Sequence, residues 1–231
     1  MANAIIMASG LGTRMRPLTD ITPKPLIRVL GKPMVESVID ALNLRGVEHI
    51  YVVVGYLKDQ FNYLTKKYNN VSMVENPDYY TVNNISSIFH AKEVLLKGDT
   101  YICEADLYVA NKKLFCADLT QSCYFGKYVS GYSDDWVFDT DENNIITRVG
   151  KYGTDVYNMV GISYFTATDA KILFQKIVEV YGECGYETLF WDDVVNRNLS
   201  YLKLRIFPVG DKDIYEIDTV EELKNINDEV K

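Results

Sequence analysis

The chain has 231 residues, 48% hydrophobic and 24% charged, proportions of an ordinary globular protein that exclude a disordered, collagen-like or coiled-coil chain. With 24 basic against 32 acidic side chains the formal charge is −8, so the chain lacks the phosphate-neutralising field of a nucleic-acid binder and must grip any phosphate locally. The length suits a single domain spanning residues 1–231 with room for a small insertion.

The apolar run Ala4-Ile5-Ile6-Met7-Ala8 stops at Ser9-Gly10-Leu11-Gly12 and predicts a strand buried on both faces, ended by a glycine loop. That run is too short for a signal peptide and lacks a basic flank, and no run approaches the roughly 18 residues of a membrane span, so a cytoplasmic protein without a membrane partner is expected. From Pro33 to Arg45 apolar residues recur at helical spacing up to Gly46; His49 to Val54 reads as a second buried strand, Leu57 to Tyr68 as a helix, and Val71 to Val74 as a third strand. A helix follows Asn83-Asn84, and Thr100 to Ala105 is a strand that delivers Asp106 at its C-terminal end. Between Cys123 and Gly161 short runs broken by Gly, Ser, Asp and Asn predict antiparallel hairpins, with a turn at Glu142-Asn143-Asn144. Helices over Thr166–Tyr181 and Leu189–Asn196, a strand over Tyr201–Val209 and an amphipathic helix from Val220 close the chain. The expected fold is α/β: a Rossmann-like, mostly parallel mixed central sheet with helices on both faces and a small antiparallel insertion at about residues 123–161. Cys103, Cys116, Cys123 and Cys184 form no C-x-x-C pair and read as reduced, mostly buried thiols.

The glycine loop carries the chemistry. In Ser9-Gly10-Leu11-Gly12-Thr13-Arg14-Met15-Arg16-Pro17 the glycines free backbone N–H groups to form an anion nest, and two Arg stand close together in an otherwise acidic chain. A dinucleotide fingerprint fails at Met15 and Pro17, and a Walker loop fails for want of G-K-[ST]. Further on, Pro23-Lys24-Pro25 holds one ammonium on a stiff segment. Asp106 sits where ligands bind in open α/β sheets, while Glu216 and Asp218 share one face of an extended segment. A divalent ion shared with phosphate oxygens needs only one or two carboxylates, so Asp106 plus Asp218 would suffice; a helix cap before Val220 is the rival role for Asp218.

The strand and loop followed by Pro23-Lys24-Pro25-Leu26 resemble the signature of the nucleotidyltransferases that join a nucleoside triphosphate to a phosphorylated sugar or alcohol. The resemblance implies that Ala8, Ser9, Gly10, Gly12, Thr13, Arg14 and Lys24 hold the nucleotide, that Arg14 and Lys24 act in catalysis, and that Asp106 and Asp218 bind Mg²⁺. Val54-Gly55-Tyr56-Leu57-Lys58, Asn83-Asn84-Ile85-Ser86-Ser87, Trp191-Asp192 and Ile214-Tyr215-Glu216-Ile217-Asp218 are similar to one branch, the bacterial CTP:phosphocholine cytidylyltransferases. That branch implies CTP and phosphocholine as substrates and an acceptor site of rings and carboxylates, for which Tyr80, Trp136, Phe190, Trp191, Asp192 and Glu216 are the candidates. Ile85, Ser86 and Ile88 stand where bulkier aromatic character is expected. Phosphoethanolamine, 2-aminoethylphosphonate and a sugar 1-phosphate remain as acceptors and UTP as donor. A silent nucleotide-binding regulator is the reading from another class, and the sequence leaves the oligomeric state open.

Overall fold

A strand can be apolar throughout only if both its faces are covered, and β1 (Asn3–Ala8) is covered on both. In the computed structural model, which describes residues 2–229, Ala4, Ile6 and Ala8 belong to one core cluster with Val35, Val38 and Leu42, while Ile5 faces a second cluster with Ile88, Leu173 and Val194. The remaining elements follow in the order β2 (Arg28–Val29), β3 (Lys32–Pro33), α1 (Met34–Arg45), β4 (His49–Val54), α2 (Tyr63–Lys67), β5 (Val71–Glu75), α3 (Ile85–His90), β6 (Thr100–Glu104) and β7 (Leu107–Val109). Then come β8 (Cys123–Thr140), β9 (Ile146–Phe165), α4 (Ala167–Val180), α5 (Trp191–Arg197), β10 (Arg205–Val209), β11 (Ile214–Glu216) and α6 (Val220–Glu229).

Seven strands form the central sheet in the order β10-β8-β9-β6-β1-β4-β5. Only β9 runs against its neighbours, antiparallel to β6 and to β8, so the sheet is mixed and mostly parallel, of the Rossmann-like type. No described helix is long and apolar enough to cross a membrane.

Three expectations need correction. The segment Leu57–Tyr68 is not one helix: Leu57 has φ 49, Lys58–Phe61 is a 3₁₀ turn, and only Tyr63–Lys67 is α-helical. Its fully buried residues Phe61 and Leu64 are three apart, a spacing that the tighter helix satisfies as well as an α-helix does. The middle section is antiparallel and joins the sheet as expected, but not as several short hairpins. It is one long pair, β8 and β9, inside the sheet, and the breaks read as strand ends are register shifts, such as those at Tyr124/Gly126 and Val129/Tyr132. The thiols divide evenly, with Cys103 and Cys123 buried, Cys116 and Cys184 exposed, and all four free.

A small second sheet positions the distant carboxylates. The strand β11 pairs antiparallel with β7, placing Glu216 opposite Leu107, and Ile217 donates its N–H to the Asp106 carbonyl at 3.1 Å. Met15, Met34, Ile217 and Leu223 pack together beneath this junction, so the C-terminal segment returns beside the end of β6.

Candidate functional site

The C-terminal ends of parallel strands leave unsatisfied backbone and diverging loops, and here those of β1 and β6 open into a cleft of about 570 Å³. Its floor is the glycine loop. Gly12 has φ +62, and a Cβ there would lie 2.8 Å from the Lys24 Cβ, so only glycine lets the loop pass this close to the lysine segment. Thr19 Oγ1 donates to the Gly12 carbonyl at 2.8 Å and fixes the approach. Behind the loop, Asn76 Nδ2 donates to Ser86 Oγ at 2.9 Å and to Ser9 Oγ at 3.2 Å, while the Ser9 and Ser87 hydroxyls share a 2.8 Å bond. This buried network ties β1, the segment after β5, and α3 into one rigid wall.

At the centre lies a chain of alternating charge. Lys24 Nζ donates to Asp106 Oδ2 and to Asp218 Oδ1, both at 2.6 Å, and Arg14 reaches Asp218 Oδ1 at 2.7 Å. Burial pulls the Lys24 ammonium down, but the two carboxylates outweigh it and hold its pKa above the ordinary lysine value. Lys24 is 7% exposed, whereas the Arg14 side chain is 67% exposed and stays open to an incoming anion. The second oxygen of Asp106, Oδ1, is buried without a hydrogen-bond partner. Oxygens of Glu104, Asp106 and Glu216 approach within 4.8 Å of one another, a donor set that suits a hard divalent cation. Desolvation raises the Glu104 carboxyl well above the usual range, and the charges of Asp106 and Glu216 add to it. The Glu216 carboxyl, open to the cleft but enclosed by its walls, is pushed up by desolvation and then by Asp106 and Asp218.

The other end of the cleft holds rings and acids. Trp136 and Phe190 meet edge to face, with centroids 5.3 Å apart at 65°, beside Asp135 and Asp192. Ala8, Ser9, Gly10, Gly12, Thr13, Arg14, Lys24, Asp106, Trp136, Phe190, Asp192, Glu216 and Asp218 all line this one cleft. Tyr80 and Trp191 do not. Tyr80 is 75% exposed, and its neighbour Tyr79 takes the cleft position, its ring lying against Gly55 where a Cβ would meet it at 2.6 Å. Trp191 is 3% exposed and stacks on Tyr124 in the core, with ring centroids 5.9 Å apart.

Several lining residues escape a sequence reading: Tyr79, Glu104, Asp135 and Lys151. Among these Lys151 matters most, because it is a cleft cation with no carboxylate partner among the described residues.

The nucleotidyl transferase family model matches residues 3–121. The chain is 56% identical over 221 residues to a 2-aminoethylphosphonate cytidylyltransferase of Lancefieldella rimae, covering 96% of this chain and 90% of that protein. It is 35% identical over 234 residues to a choline-phosphate cytidylyltransferase of Streptococcus pneumoniae, covering 99% and 98% respectively. The solved structure of the CTP:phosphocholine cytidylyltransferase from Streptococcus pneumoniae matches the fold with a TM-score of 0.92 at 34% identity, covering 100% of this chain and 99% of that one.

Proposed function

The chain belongs to the nucleotidyl transferase family, and on that footing we propose that it transfers CMP from CTP to 2-aminoethylphosphonate, releasing pyrophosphate. The observation that carries the choice of acceptor is the make-up of the head-group end: two rings, set edge to face, among the carboxylates of Asp135, Asp192 and Glu216. A trimethylammonium has no N–H to donate and is held by ring faces, whereas a primary ammonium seeks acceptor oxygens. With Trp191 in the core and Tyr80 in solvent, two of the four expected rings are absent from the cleft lining, while Asp135, Asp192 and Glu216 all line it. The 56% relative bears the matching name. Phosphocholine is the second reading, favoured by the Trp136–Phe190 pair and by the 35% relative.

In the reaction a phosphonate oxygen attacks the α-phosphorus of CTP, one P–O bond forms, and the bond from the α-phosphorus to the bridging oxygen breaks as pyrophosphate leaves. The attacking oxygen is already anionic, so no general base is needed and catalysis rests on alignment and charge neutralisation. Lys24 and Arg14 turn from Asp106 and Asp218 toward the triphosphate, an exchange of one set of anions for another, and Lys151 steadies the acceptor's anionic end. The freed carboxylates of Asp106 and Asp218, with Asp106 Oδ1 already unpartnered, would hold Mg²⁺. When bound, that ion supplies charge neutralisation to the phosphates.

Pyrophosphate release with CTP tests the reading across 2-aminoethylphosphonate, phosphoethanolamine and phosphocholine. The expected result is kcat/KM for 2-aminoethylphosphonate at least about tenfold above phosphocholine, a difference of about 1.4 kcal/mol. Asp192→Asn should then cost about 10- to 100-fold and Trp136→Leu about 3- to 5-fold, with KM for CTP unchanged. Preference for phosphocholine, with the ring change the more damaging, would establish the second reading instead. No turnover on any acceptor with CTP or UTP would leave a nucleotide-binding regulator.

A further inference from the structure

We propose that Tyr124 is a positioning residue for the acceptor, holding the Asp192 carboxylate as the anion that meets the head-group ammonium. The inference deepens the cytidylyltransferase reading and rests on it. Tyr124 lies on β8, is 1% exposed, and is clasped by Phe138, Phe165 and Trp191, with ring centroids 5.1, 6.2 and 5.9 Å away. Its ring is therefore fixed, and its hydroxyl donates to Asp192 Oδ1 at 2.9 Å. Asp192 is itself only 3% exposed, yet it lines the cleft. Among the described residues, Tyr124 is the side chain that donates to it.

A carboxylate this buried is a poor anion unless something holds the charge. Burial pushes the Asp192 carboxyl up to about 7 even though the Tyr124 hydrogen bond pulls it down, and the charge of Asp193 on the same helix also raises it. Glu104 from β6 feels the charge of Asp192, and the other charged groups that line the cleft with it toward this end are Asp135 from β8, Lys151 from β9 and Glu216 from β11. The helices α3 and α4 bring apolar side chains to α5, among them Ile88, Leu173 and Ile177. Removing the hydroxyl raises the carboxyl further. At neutral pH more of Asp192 then carries a proton, and the ammonium loses its counter-charge.

Tyr124→Phe keeps the ring packing and removes only the donor. The test compares kcat/KM for 2-aminoethylphosphonate and for ethylphosphonate, the same anion without the ammonium, across the neutral pH range. Ionisation of either phosphonate is common to both enzymes, so the difference between them reports the protein. The expected result is an acid limb moved up by about one pH unit and about a fivefold loss at neutral pH for the amino acceptor, with ethylphosphonate and KM for CTP unchanged. In an Asp192→Asn background the change should add nothing. Equal losses on both acceptors, or an unmoved acid limb, would overturn the proposal while the acceptor reading stands. A wild-type enzyme that uses both acceptors equally would overturn the acceptor reading, and this proposal with it.

Discussion

Lys24→Ala is expected to lower kcat by about 10²- to 10³-fold with the fold retained. The magnitude follows from where the ammonium sits. It is buried at the meeting point of Asp106 and Asp218, 2.6 Å from each, and it stays charged because those carboxylates outweigh its burial. Once turned to the triphosphate, this cation meets the α-phosphorus as negative charge gathers there, so its contact strengthens in the transition state and its loss falls on kcat rather than on KM for CTP. The stability sign follows from the same shift. The folded-state pKa lies above the ordinary lysine value, so the stabilisation is complete at neutral pH and fades only as pH rises through the raised value. Lys24→Ala should therefore also lower Tm at neutral pH, since it leaves Asp106 without its cation and Asp218 with Arg14 alone. Lys24→Arg should rescue Tm better than rate, because the planar fork cannot replace a compact ammonium aimed past Gly12. Near-normal turnover in Lys24→Ala would remove Lys24 from the chemistry.

The parts of the site legible in the sequence are those whose placement is local. The run Ala4–Ala8 has to be a doubly buried strand, its glycine loop has to follow at the strand's C-terminal end, and Asp106 lies two residues past the last residue of β6. The period of an extended segment puts Glu216 and Asp218 on one face, but their meeting with Asp106 depends on the pairing of β11 with β7, which no local pattern encodes. The errors have the same origin. Tyr79 and Tyr80 are adjacent, and only the tertiary contact with Gly55 decides which ring enters the cleft. Trp191 and Asp192 are adjacent too, and the start of α5 sends one into the core against Tyr124 and the other to the cleft wall. Lys151 stands on a long bulged pair whose breaks mimic turns. Local chemistry therefore identifies the glycine-loop end of the cleft, whereas the make-up of the ring-and-acid end depends on which of two neighbours tertiary packing turns inward.

Asp106→Asn and Asp218→Asn are each expected to lower kcat/KM by about 10²-fold and to raise the Mg²⁺ concentration needed for half-activation by about tenfold, because an amide oxygen is a neutral and poorer ligand for a hard cation. For Asp218 the competing role was a helix cap, and the two roles separate on the hydrogen bonds around α6. Thr219 Oγ1 accepts from the Glu222 N–H at 3.2 Å, and the Glu222 carboxylate accepts from the N–H groups of Thr219 at 2.8 Å and Asp218 at 2.7 Å. This is a capping box built from Thr219 and Glu222, and the Asp218 side chain takes no part in it. It turns instead to Lys24 and Arg14. Glu222→Ala should therefore cost about 1 kcal/mol of stability and leave the Mg²⁺ dependence alone, while Asp218→Asn should do the reverse. Thermal melts and Mg²⁺ titrations of the pair check this directly. A Glu222→Ala enzyme with normal stability beside an Asp218→Asn enzyme that melts early but turns over at full rate would return Asp218 to the helix and leave Asp106 without its partner.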